Sequence, residues 1–251
     1  MIDPLKPFAG KVALVTGSGT GIGPATAEHL AREGAAVILV GRRPGPLEEA
    51  ADSIRATSGT AYPFPADVSN PGQVAAAVDF AVGSGGALHL AVNNTGVSGG
   101  ASRLVDLDVD AYRQVMGVNL DAAFYGLKYQ IPAIIVAGGG AIVNVSSVDA
   151  DRGHVDYTAY TATKHAVRGL TRAAALEHAT TGVRINELQP GVIATPLSRT
   201  DPQATARAEA KVPMGRSGRP SGTAQAICFL LSQRAFYITR TFFSVDGGFL
   251  A

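Results

Sequence analysis

Short runs that are apolar at every position, separated by stretches of helical periodicity, recur along the whole chain. A strand with one face in water alternates polar and apolar residues. A run that is apolar throughout must be buried on both faces, as in a parallel sheet sandwiched between helices. The runs are Lys11–Thr16 (KVALVT), Ala36–Val40 (AVILV), Thr60–Ala66, Ala87–Val92, Ala141–Ser146, Val183–Leu188 and Thr241–Val245. Helical patterns fall between them at Gly21–Gly34, Pro46–Ala56, Pro71–Val82, Asp108–Ala137, Thr158–Thr180 and Ser221–Ser232. Pro132 should kink or break the long fourth pattern, because proline has no N–H for the helical ladder. Strands that alternate with helices imply right-handed βαβ units. The expected fold is therefore α/β: a single-domain, doubly wound parallel sheet of about seven strands with helices on both faces. One domain spans residues 1–251, with a substrate loop or lid at about 191–213 that holds some helix and no strand.

Composition removes several classes of function. A formal charge of +1 supplies no basic field for nucleic acid or a membrane surface. No segment approaches the ~20 apolar residues of a membrane span, and the start MIDPLKPFAG has no run of signal-peptide length. The expectation is a cytoplasmic protein without internal disulfides, since Cys228 is the only cysteine. Its setting, AQAICFLL, reads as a buried core thiol. The histidines His29, His89, His154, His165 and His178 lack metal-ligand spacing, so no metal is expected. His154 alone is placed where it could reach a pocket.

The first run ends in Thr16-Gly17-Ser18-Gly19-Thr20-Gly21-Ile22-Gly23. Glycines between a strand and a helix let the backbone approach a pyrophosphate, which the helix N-terminus then attracts. A plain turn would use the same residue, but the strand–helix context favours a dinucleotide site of the Rossmann type. The second run ends in Val40-Gly41-Arg42-Arg43, with no acid to accept hydrogen bonds from an adenosine ribose. Arg42, with Arg43 beside it, could instead clamp a 2′-phosphate, which favours NADP(H) and leaves NAD(H) possible. A solvated surface pair is the bland alternative. Asp67, followed by Val68, could accept a hydrogen bond from adenine or could cap the next helix. Asn93-Asn94-Thr95-Gly96 ends the fourth run, where ligands of open α/β sheets bind, though Asn there could equally brace the strand end.

Tyr160 and Lys164 are four residues apart, on one helical face. A nearby ammonium favours phenolate and would draw the phenol down from its usual value near ~10. An amphipathic surface face would look the same. Upstream, Ser146 and Ser147 end the fifth run, where a hydroxyl could hold a substrate oxygen.

TGSGTGIG, DVSN, NNTG, the Asn of GVNL, NVSS, YTATK, PGVIATP and VDGG occur in one register over nearly the whole chain. The set resembles the short-chain dehydrogenase/reductase family. The resemblance implies a catalytic tetrad of Asn119, Ser147, Tyr160 and Lys164, and it selects Ser147 over Ser146. Tyr160 would move the proton, Ser147 would hold the reacting oxygen, and Lys164 would bind the nicotinamide ribose and lower the phenol. Asn119 would hold a water that links Lys164 to solvent. Gly17, Ser18, Thr20, Gly21, Ile22, Gly23, Val68, Asn94, Gly96, Pro190, Gly191, Ile193 and Thr195 fall at cofactor positions, with Thr195 toward the carboxamide. Family members often form tetramers, so a homo-oligomer (tetramer or dimer) is expected.

Departures from the pattern include Thr95, where Ala is usual, and Thr20, where many NADP-binding members carry a basic residue. The approach to VDGG (AFYITRT) is bulkier than usual. Ser98, Val148, His154, Tyr157 and Leu197 are the expected substrate-pocket residues, which suit a bulky, fairly apolar ketone or secondary alcohol. The leading expectation is hydride transfer between NADP(H) and such a substrate. The alternatives are an NAD-linked alcohol dehydrogenase on the same scaffold and a non-catalytic dinucleotide-binding regulator.

Overall fold

The computed structural model describes residues 6–198 and 202–251. The first five residues and positions 199–201 of the expected lid lie outside them. The strands are β1 (Val12–Thr16), β2 (Ala36–Gly41), β3 (Thr60–Pro65), β4 (Leu90–Asn93), β5 (Gly140–Val145), β6 (Val183–Pro190) and β7 (Phe242–Val245). The helices are α1 (Ile22–Arg32), α2 (Pro44–Ala56), α3 (Pro71–Gly85), α4 (Val109–Met116), α5 (Ala122–Val136), α6 (Thr158–Glu177), α7 (Pro202–Glu209) and α8 (Pro220–Leu231).

Successive residues of each central strand serve opposite cores. Ala13 and Val15 of β1, with Val37 and Leu39 of β2, pack against Leu30, Leu47, Ile54 and Ile227 from α1, α2 and α8. Val12, Leu14, Ile38 and Val40 pack against Val74, Val78, Leu127 and Ala175 from α3, α5 and α6. Burial on both faces is the reason these runs hold no polar alternation. All seven strands are parallel, in the order β3-β2-β1-β4-β5-β6-β7. The order reverses between β1 and β4, so a crevice opens beyond their carboxyl ends, where ligands of such sheets bind.

Some boundaries differ from the sequence reading. Pro44 at the first turn starts α2 two residues early, and β4 begins at Leu90 instead of Ala87. Pro132 does not break α5, which runs through it. The carbonyl it leaves unpaired belongs to Lys128, an exposed position where water can serve. The interruption falls earlier, at the π-turn Gly117–Asp121 between α4 and α5. Asp67 is not the cap of α3; Asn70 is, accepting from Gly72 N at 2.9 Å and Gln73 N at 3.2 Å. The lid region holds the short helix α7, and no strand occurs among its described residues. No described helix is long and apolar enough to cross a membrane. Cys228 lies on the buried face of α8, and burial pushes its thiol up.

Candidate active site

The chain leaves β1 at Gly17 (φ 68°) and enters α1 through Gly21 (φ 73°), a region that L side chains rarely adopt. A Cβ on Gly23 would lie 2.1 Å from the Gly17 carbonyl oxygen, so α1 packs onto the turn as only glycine allows. No side chain caps α1 and no acid occupies its first turn. Its first N–H groups therefore remain available to an anion, at the positive end of the helix dipole. Asn94 braces the turn, donating from Nδ2 to the carbonyls of Thr16 (3.1 Å) and Gly17 (3.3 Å). Ser18 turns inward, its hydroxyl donating to the Val15 carbonyl at 2.6 Å.

Two joined cavities follow the crevice. The first, of about 530 Å³, is bounded by Thr20, Gly21 and Ile22 on the α1 side and by Asn94 and Gly96 beyond β4. Pro190, Gly191, Ile193 and Thr195 close it from the end of β6, and Ser147, Tyr160 and Lys164 form part of its wall. Ser98, His154, Tyr157 and Leu197 line it too. Val148 does not line it: the residue is buried, 6% exposed, at the start of a 3-10 turn. The second cavity, of about 370 Å³, meets the first at Gly17, Thr20 and Thr95 and is lined by Arg42, Arg43, Asp67 and Val68. Ser69 donates to the Asp67 carboxylate from both N–H and hydroxyl, which lowers it, and Arg42 lowers it further. A third cavity, of about 600 Å³, lies at the amino-terminal ends of the central strands beside His89, Gly139 and Arg184, away from this chemistry. Arg184 is spent there on the carbonyls of Leu230, Leu231, Ser232 and Ile238.

At the centre, Ser147, Tyr160 and Lys164 share the wall of the first cavity. Lys164, one helical turn beyond Tyr160, places Nζ 5.4 Å from the phenol ring centre and donates to the Val145 carbonyl at 3.1 Å. Burial pushes the Tyr160 phenol up to about 12, with the Ser147 hydroxyl opposing and the Asp149 charge reinforcing that shift. The sequence suggested the reverse direction, but here burial outweighs any help from the ammonium. Lys164 is itself pushed down to about 8 by burial, against the pull of Glu187 and Asp149. Ser146 differs from Ser147: its hydroxyl donates to the Lys164 carbonyl at 3.4 Å.

Asn119 sits in the π-turn, 3% exposed, and lines a separate chamber of only about 10 Å³. Its Oδ1 accepts from Val97 N at 2.8 Å, while Nδ2 donates to the Val97 carbonyl and the Thr163 hydroxyl. The side chain thus ties the loop after β4 to α6, and both amide protons are occupied. One lone pair of Oδ1 is left for a water.

Three features take their place only in the structure. Asp149 lines the first cavity. Glu187, 1% exposed in β6, accepts from Arg168 Nε at 3.1 Å, and Arg168 also donates to both carboxylate oxygens of Asp151. The hydroxyl of Thr95 is buried and has no partner. A carboxylate in the middle of an otherwise buried strand was the readable signal for the second.

A glycine-walled crevice at the sheet's switch point, opening onto a Ser/Tyr/Lys group, defines the class: a dinucleotide-dependent oxidoreductase. Comparison with known proteins narrows this. The family model described as Enoyl-(Acyl carrier protein) reductase matches residues 17–250. Cyclohexanol dehydrogenase of Acinetobacter sp. (strain SE19) is 43% identical over 243 residues, 96% of each chain. Cis-4-hydroxycyclohexanecarboxylate dehydrogenase of Sinomonas cyclohexanicum is 38% identical over 251 residues, 98% of this chain and 99% of that one. The crystal structure of a short-chain type dehydrogenase/reductase from Mycobacterium marinum superposes with a TM-score of 0.94 at 31% identity, covering 98% of this chain and 97% of that one. The chain belongs to the short-chain dehydrogenase/reductase family and is an oxidoreductase.

Proposed function

We propose that this protein interconverts an alicyclic secondary alcohol and its ketone with NADP(H), using Tyr160 as the acid/base. The observation that carries this reading is the convergence of Ser147, Tyr160 and Lys164 on the wall of a cavity that runs onto the Gly17–Gly23 turn. The residues present fit a dinucleotide. Glycines stand where any Cβ would collide, α1 has an uncapped N-terminus, and the Thr95 hydroxyl is unpartnered where the two cavities meet. Gly17–Gly23 and the start of α1 would hold the pyrophosphate, and Lys164 Nζ has two protons beyond its Val145 bond for ribose hydroxyls. Arg42 and Arg43, with no acid at the end of β2, support the 2′-phosphate and hence NADP(H).

The bound nicotinamide supplies or accepts the hydride. In the reducing direction Ser147 donates a hydrogen bond to the ketone oxygen, stabilising the charge that grows there. Tyr160 delivers its proton to the same oxygen as it becomes an alkoxide. The phenol is protonated at neutral pH and ready to donate, and burial, which pushes it up, opposes the phenolate that oxidation needs. In oxidation Tyr160 must first lose its proton, and Lys164 is the cation that favours the phenolate.

The wall beyond Tyr160 includes Tyr157, Val192, Pro196 and Leu197, an apolar surface suited to a carbocyclic substrate. The two alicyclic-alcohol relatives support that substrate class. Phe236, Tyr237, Phe242 and Phe243 are exposed along the β7 edge, which supports self-association there; a monomer in sedimentation velocity would remove that part. The test of function is oxidation of NADPH and of NADH with cyclohexanone and its substituted forms. Ketone-dependent turnover that prefers NADPH is expected. A preference for NADH would overturn the Arg42 argument alone, and tight dinucleotide binding without turnover would favour a regulator.

A further inference from the structure

The loop between Ser147 and Tyr160 carries a charged group that proton transfer does not use. Asp149 is 7% exposed, and its N–H donates to Ser147 Oγ at 3.1 Å, so its position is coupled to that of the serine. One carboxylate oxygen lies 2.9 Å from His154 Nδ1 and the other 3.6 Å from Arg152 Nε. The His154 ring also rests on Tyr157, with centroids 4.6 Å apart, and all three residues line the first cavity. The imidazole is thus held at one nitrogen and on one face. Its side chain remains 43% exposed.

We propose that His154 Nε2 is a second recognition point, accepting a hydrogen bond from a substrate hydroxyl remote from the reacting carbon. The substrate class is then a hydroxylated alicyclic alcohol or ketone, a cyclic diol or hydroxyketone. This rests on the alcohol/ketone reading above. A neutral ring whose Nδ1–H donates to a carboxylate presents Nε2 as an acceptor, which pairs with an O–H and not with a carboxylate. Arg152 already faces the Asp149 charge, so the imidazole is not required as its counter-ion. An anionic substituent would meet an acceptor backed by a buried carboxylate and is disfavoured there.

The experiment compares kcat/KM at about pH 8.5, where a free imidazole is neutral. The substrates are the 1,2-, 1,3- and 1,4-cyclohexanediols and their mono-O-methyl ethers, with cyclohexanol as reference. The ether keeps the oxygen and loses the proton that His154 would accept. At least one diol should exceed its ether by about tenfold, the scale of one hydrogen bond in a pocket sheltered from water. In His154→Phe, which keeps a ring against Tyr157, that ratio should fall to about the statistical factor of two. Equal diol and ether in the wild-type enzyme would overturn the inference while cyclohexanol turnover still upheld the alcohol/ketone reading. A 4-hydroxycyclohexanecarboxylate preferred over every diol would also overturn it. Turnover of none of these compounds would remove both. The wild-type series decides the matter even if His154→Phe does not fold.

Discussion

Arg168→Leu is expected to destabilise the fold by about 3–5 kcal/mol, the cost of stripping a buried charge of its partner. The figure follows from the position of Glu187. Its side chain is 2% exposed, and Arg168 Nε donates to it at 3.1 Å with Nη2 at 3.5 Å from the other oxygen. Burial already pushes the Glu187 carboxyl up, with Arg168 the main opposing influence. Leucine would remove that influence and leave the Glu187 carboxylate buried without its ion-pair partner. For a chain of this size the loss corresponds to roughly 6–20 °C in Tm. The sign with pH follows from the raised carboxyl. The penalty is full where Glu187 is charged in the folded variant, and it shrinks as pH falls through its raised value, since a protonated carboxyl needs no cation. Urea denaturation followed by circular dichroism, at about pH 8 and about pH 5.5, measures both the size and the trend. The double variant Arg168→Leu/Glu187→Met should recover much of the loss, because an apolar pair leaves no charge behind. A single-variant loss below about 1 kcal/mol, or one that grows on acidification, would refute the reasoning.

Two further outcomes follow from the site. Arg42→Ala should raise the KM for NADPH by about 10- to 100-fold, the worth of a charge-assisted contact, with a much smaller effect on NADH; equal effects on both would show that Arg42 does not read the phosphate. Because burial holds Tyr160 protonated, with its phenol pushed up to about 12, ketone reduction should keep its rate between about pH 6 and 7.5 while alcohol oxidation climbs steadily toward about pH 9. Steady-state profiles in both directions test this, and oxidation that falls over the same range would contradict it.

The legibility of this chain in its sequence varied with the kind of constraint. Strands such as Ala36–Gly41 were readable because burial on both faces demands an apolar side chain at each step, and local composition records that demand. The Gly17–Gly23 turn was readable for a similar reason: close approach excludes every Cβ, and glycine is the only answer. Asn119 was different. Its partners, Val97 and Thr163, are 22 and 44 residues away, so no local pattern could mark it, and only the family resemblance did. The direction of the Tyr160 shift was misread because spacing reports that a lysine is near but not how deeply the phenol is enclosed. Val148 was placed in the pocket by its neighbourhood, although the turn after Ser147 points it into the protein. The Asp149–His154 contact was half visible, since His154 was noted as able to reach a pocket while its hydrogen bond to Asp149 depends on how the loop folds.

The most direct test of the central claim is Tyr160→Phe, assayed for ketone-dependent NADPH oxidation and, separately, for NADPH binding by fluorescence. Phenylalanine keeps the ring against Lys164 and removes only the hydroxyl that carries the reacting proton. The account predicts binding within a few-fold of the wild-type protein and turnover lower by about a thousandfold, within the range ascribed to a positioned acid. A variant that binds NADPH and reduces the ketone within tenfold of the wild-type rate would contradict the assignment of Tyr160 as the proton donor.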